Sequence, residues 1–137
     1  MCCLALLCGC TVSQPSPTDW RSSTSRSLDD VASEIATVQL VLRHHASDEM
    51  WQAYAVTMLA DAEKAVGSTT ESIGQTPPGL DAEASDVDDL LGRAEDVVAD
   101  ARQALVAGDP ITSDLRKRLD SVRDDLRSEA TSIEGAS

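Results

Sequence analysis

Phenylalanine is absent from this 137-residue sequence, and the aromatic side chains are limited to Trp20, Trp51 and Tyr54. A sheet sandwich draws on aromatic and β-branched pairs, so few aromatics beside abundant Ala, Asp and Glu point to packed helices. Cysteine is missing beyond position 10: Cys2, Cys3, Cys8 and Cys10 all lie in the first ten residues. The rest of the chain therefore has neither a disulfide nor a thiolate metal site. The spacing Cys-Cys-x4-Cys-x-Cys does not suit zinc either, because the intervening Leu and Ala supply no His and no loop to wrap a tetrahedral ion. Basic residues are scarce, with 11 Lys and Arg against 24 Asp and Glu, a formal net charge of −13. Such a charge repels a phosphate backbone and excludes nucleic acid as a partner. No run approaches the roughly 20 apolar residues that span a bilayer. Catalytic signatures are lacking too: there is no phosphate loop, no nucleophile elbow and no carboxylate pair set in an apolar cleft. The sequence reads as a non-enzyme without a cofactor, one domain in length.

What is present begins with residues 2–9, an apolar run ending in a small residue before Cys10. Leu7-Cys8-Gly9-Cys10 resembles the lipobox of bacterial lipoproteins, with Cys8 standing where Ala, Ser or Thr is usual. The resemblance implies that Cys10 becomes the mature N-terminus and carries a diacylglycerol. A secretory signal opens on positive charge, yet no Lys or Arg precedes Arg21. The expected start therefore lies upstream of Met1. Without such a start the alternative is a cytoplasmic helical protein. Residues 11–26 are nearly all Ser, Thr, Pro and other polar types, and read as a tether spanning about 20–24 Å. The division is thus a truncated signal peptide (1–9), a lipidated Cys with its tether (10–26), and a helical domain (27–135). Nine Arg against two Lys suggest a high-GC source, and the layout resembles small lipoproteins of high-GC Gram-positive bacteria. That resemblance implies an extracytoplasmic, membrane-anchored location but no particular activity.

Four apolar stripes follow the tether. Leu28, Val31, Ile35, Val38, Leu42 and His45 recur every three or four residues, which is helical spacing. Ser27 and Asp30 form a start resembling a capping box. The second stripe contains Trp51, Tyr54, Ala55, Met58, Leu59, Ala62, Ala65, Val66, Thr69 and Ile73, with Ser47, Asp48 and Glu49 as its N-terminus. Gly74 to Gly79, including Pro77-Pro78, cannot continue a helix. Leu80, Ala84, Val87, Leu91, Ala94, Val98, Ala101 and Leu105 make the third stripe, which Gly108 caps. Asp109-Pro110 opens the fourth, whose stripe is Ile111, Leu115, Leu119, Val122, Leu126, Ala130 and Ile133. The predicted fold is all-α: an antiparallel up-and-down bundle of four helices, the first shorter than the rest. The alternative is three long helices, the first kinked near 46–48. Asp114 with Arg118, and Asp124 with Arg127, are expected to pair along the last helix, which makes Arg116-Lys117-Arg118 a salt-bridged surface.

Few residues qualify as a site. His44 and His45 are neighbours and point about 100° apart on a helix, so they cannot chelate one ion. Asp86, Asp88 and Asp89 lack the Gly and the distal Glu of a calcium loop and read as a solvated face. Trp51 and Tyr54, one turn apart, read as core anchors or as an aromatic lip on a partner groove. Two functions remain. The first is a non-enzymatic lipoprotein, held to the membrane by the lipid on Cys10, whose acidic bundle docks an envelope protein. The second is a carrier of a small ligand or metal in the bundle interior near His45, Trp51 and Tyr54.

Overall fold

The computed structural model describes residues 15–136. They form four helices with no strand among them: α1 (Pro17–Ala46), α2 (Gln52–Ser72), α3 (Asp81–Ala107) and α4 (Ser113–Gly135). The all-α bundle expected from the stripes is the fold. The lipobox, Cys10 and the first tether residues lie outside the described residues.

The tether expected over residues 11–26 is overturned from Pro17 onward. At 30 residues α1 is the longest helix, not the shortest, and begins ten residues upstream of Ser27. Two local signals start it there. Pro17 occupies the first turn, where its missing N–H is no loss. The Ser16 side chain accepts a hydrogen bond from the Asp19 amide at 3.1 Å and donates to the Asp19 carboxylate at 2.7 Å. Trp20 and Thr24 then continue the stripe of Leu28 backwards at spacings of four. Trp20 is 2% exposed and Thr24 and Ser25 are also buried. The segment is polar in composition but helical in phase, and the phase decides its structure.

The kinked three-helix alternative is likewise excluded, because α1 stops at Ala46 and α2 starts at Gln52. Ser47 to Glu49 serve the end of α1 rather than the start of α2. The amides of Asp48 and Glu49 bond back to His45 and His44, at 3.1 and 3.0 Å. α2 is left without a side-chain cap at Trp51. The same logic moves the start of α4. The Asp109 amide donates to the Ala104 carbonyl at 2.9 Å and so closes α3. Thr112, not Asp109, caps α4, its hydroxyl accepting from the Leu115 amide.

Long-range hydrogen bonds set the direction of each helix. Between α1 and α4, Ser25 Oγ donates to the Ala130 carbonyl at 3.0 Å and Gln39 Nε2 to Asp120 at 2.8 Å. Between α2 and α3, Gln52 Nε2 donates to the Leu105 carbonyl and Arg102 pairs with Glu63. Between α3 and α4, Arg93 pairs with Asp125 and Arg118 with Asp100. In each set one partner climbs the chain as the other descends, so neighbours are antiparallel. α1 and α3 also meet across the bundle, whereas α2 and α4 do not. Arg118 thus reaches across to α3 rather than along α4 to Asp114. Arg123 takes Asp120 and Asp124, and Arg127 has no ion pair among the described residues. The core is aliphatic, built from Leu, Val, Ile and Ala, with Trp20 as its one aromatic among the described residues.

At the end where α1 begins, Arg21 joins three helices. Its guanidinium donates twice to Glu83 in the first turn of α3, at 3.0 and 2.7 Å, and once to the Ala136 carbonyl beyond α4. These hydrogen bonds hold the Glu83 carboxyl below its ordinary range, although partial burial opposes them. Glu83 therefore stabilises the fold above the unfolded carboxylate value, about 4.3, and loses that contribution as pH falls through its folded value. Glu83→Gln is expected to lower Tm at pH 7, with a gap from the parent chain that closes on acidification to about pH 3. Thermal unfolding across this range checks it, and a gap independent of pH would contradict the assignment.

Thr24 and Ser25 are adjacent and buried, yet their hydroxyls differ. Ser25 Oγ is bonded to Ala130, while Thr24 Oγ1 and Trp20 Nε1 have no partner among the described residues. An unpaired buried hydroxyl only costs free energy, whereas a paired one contributes about 1 kcal/mol. Ser25→Ala is expected to lower Tm by a few degrees. The near-isosteric Thr24→Val is expected to leave Tm unchanged or raise it. Calorimetry on the two variants reads the contrast directly.

Candidate functional site

The α1–α2 and α3–α4 connections lie at the same end of the bundle, tied by the 2.6 Å bond from Gln52 on α2 to the Leu105 carbonyl on α3. This end is remote from Ser16. From Pro17, α1 climbs about 40 Å to reach Arg43. Both connections use the same device. A residue in the left-handed region follows the helix, and its own amide and the next one fold back on the carbonyls of the last turn. Gly108 fills that position after α3 with φ 72°. After α1 the position falls to Asp48, at φ 56°. A short polar residue tolerates this conformation better than a branched one, though less well than glycine.

The two histidines reinforce the α1 turn. His44 Nδ1 meets the Glu49 carboxylate, and His45 Nδ1 lies 3.1 Å from the Met50 carbonyl. A carbonyl can only accept, so the His45 Nδ1 carries the proton. The histidines thus brace the turn through Glu49 and Met50. Among the described residues no group of three or more His, Cys, Asp or Glu side chains is placed to hold a metal ion. Asp86, Asp88 and Asp89 are exposed along α3.

Trp51 and Tyr54 do not anchor the core. Trp51 is 86% exposed and Tyr54 59%. The structure brings them beside His45 in the chain but turns them outward, so an interior pocket cannot be built from them. The reason is phase. The buried face of α2 is Ala55, Leu59, Ala62 and Val66; Trp51 precedes the helix, and Tyr54 sits about 100° away from Ala55. The end of α3 adds Val106, 56% exposed, which the sequence stripes did not single out. Val106 follows Leu105 and Trp51 precedes Gln52, the two bonded residues, so these apolar side chains share one end. Among the described residues no helix is long and apolar enough to cross a membrane.

The backbone of the two turns is testable. Asp48→Gly removes a left-handed non-glycine residue and is expected to raise stability by about 0.5–1 kcal/mol. A Cβ at Gly108 would meet nothing within 4 Å, so Gly108→Ala is expected to lower stability by about 1 kcal/mol through backbone conformation alone. Urea unfolding of the two variants is expected to give shifts of opposite sign.

No protein-family model matches this sequence, and no curated protein or solved structure matches it either.

Proposed function

We propose that the chain is a non-enzymatic, membrane-anchored lipoprotein whose acidic helical bundle docks an envelope protein through the end that bears Trp51 and Tyr54. The observation that carries this reading is their exposure. A chain with three aromatic residues places one in the core and leaves two in solvent. Tryptophan and tyrosine are the residues from which interface hot spots are most often built. Packing does not require them where they stand, and Val106 is a further exposed apolar side chain at the same end.

The direction of α1 supports the same reading. Five residues lie between Cys10 and Ser16, so the six steps span at most about 22 Å. A lipid on Cys10 would hold the α1 N-terminus near the membrane and let the Trp51 end stand away from it. The anchoring half of the proposal rests on Leu7 to Cys10.

A photo-crosslinking residue at position 51, compared with one at the exposed position 88 on α3, tests the docking in intact cells. Position 51 is expected to give a discrete protein adduct and position 88 none. The combined Trp51→Ala, Tyr54→Ala variant is expected to keep the parent Tm within about 2 °C, since exposed substitutions rarely exceed 0.5 kcal/mol. Cys10→Ala is expected to shift the protein from the membrane to the soluble fraction. Absence of an adduct at 51 would overturn the docking surface, and unchanged membrane retention in Cys10→Ala would overturn the anchor.

A further inference from the structure

A groove of about 400 Å³ opens between the last turns of α1 and the first turns of α4, at the same end as Trp51. Leu42 and Leu119, both buried, contribute to its lining. Arg43, Arg116 and Arg123 line it with one acid, Asp120. A positive lining is unexpected on a chain with 24 acidic and 11 basic residues.

The three arginines are not equivalent. Arg123 is occupied, its guanidinium bonded to Gln39, Asp124 and Asp120. Arg43 and Arg116 have no ion pair and no side-chain hydrogen bond among the described residues. The remaining arginines of the bundle mostly do: Arg21, Arg93, Arg102 and Arg118 each hold a carboxylate on another helix. Arg43 is explained in part by its place in the last turn of α1, where a cation suits the helix dipole. Arg116 has no such account. It is the fourth residue of α4, near the positive end of that dipole, where a cation is disfavoured. Two free guanidinium groups suit a ligand that carries carboxylates, since guanidinium binds carboxylate in paired hydrogen bonds.

We infer that this groove binds an acidic peptide segment, its carboxylate side chains against Arg43 and Arg116. This deepens the docking reading and rests on it, because it gives the partner's chemistry at the same end of the bundle. Charge complementarity favours the peptide. A polyanion such as nucleic acid is repelled by the net charge of −13, whereas a segment of few carboxylates meets only the local positive lining.

Fluorescence anisotropy of the full chain with a labelled peptide alternating Glu and Leu tests the groove at low salt. Saturable binding is expected. Arg43→Gln with Arg116→Gln is expected to weaken it tenfold or more. Arg26→Gln with Arg127→Gln, which removes the same charge from two unpaired arginines outside the groove, is expected to leave it unchanged. Circular dichroism of both variants confirms their fold. Four results would overturn the inference: no binding, equal losses in the two double variants, equal binding of a Gln-Leu peptide, or binding of inorganic phosphate with no binding of the peptide. None of these depends on the adduct at position 51, so the groove can fail while the docking end stands.

Discussion

The ten buried side chains of α1, from Trp20 to Leu42, set the frame on which the other helices are placed. No other helix buries as many: α3 buries eight, α4 six and α2 four. The first third of α1 is rich in Ser and Thr, poor helix formers in isolation. Its helicity therefore comes from tertiary packing, and Trp20 supplies the largest apolar area in that segment. α1 and α3 meet in the middle while α2 and α4 stay apart, which gives the bundle a rhombic section. The buried faces of these two helices include small residues, Ala32 on α1 and Ala94 and Ala101 on α3.

That frame gives the molecule two chemically different ends. Where α1 begins, charge and backbone groups are tied together, with Arg21 holding α3 and the tail of α4. At the opposite end the turns are satisfied by their own backbone, by the two histidines and by the side chains of Gln52 and Thr112. Other side chains there carry no structural duty. Trp51 and Tyr54 are not needed by the core, and Arg43 and Arg116 are not needed by an ion pair. Unemployed apolar and cationic groups at one end of an otherwise acidic, self-satisfied bundle are what give that end its functional reading.

The helices were legible because their buried residues recur in phase. Leu28 to Leu42, Val87 to Leu105 and Leu115 to Ile133 are buried as their spacing predicts. Composition misled at residues 17–26, where Thr24 and Ser25 hold buried positions that hydropathy assigns to solvent. Boundaries misled wherever one polar residue could serve either of two helices. Asp48 and Asp109 resemble N-caps in sequence, but their amides are committed to the helix behind them. Trp51 and Tyr54 were found as candidates by residue type, yet their exposure was hidden because periodicity fixes the phase of a helix only within it. Arg43 and Arg116 lie 73 positions apart and meet only through the antiparallel register of α1 and α4, which no local pattern records.

The surface charge follows from the same economy of partners. An exposed ion pair contributes little stability, about 0–1 kcal/mol, so the interhelical pairs matter more for register than for strength. Arg93 with Asp125 and Arg118 with Asp100 fix one alignment of α3 on α4, and a slip of one turn would break both. Pairing four of the nine arginines this way leaves a large surplus of acid on the outer faces. That surplus repels anionic surfaces in general, and it makes a locally positive groove selective. An anion can approach only where the acids are outnumbered, and the register of α1 on α4 creates such a place at the end of the bundle farthest from Ser16.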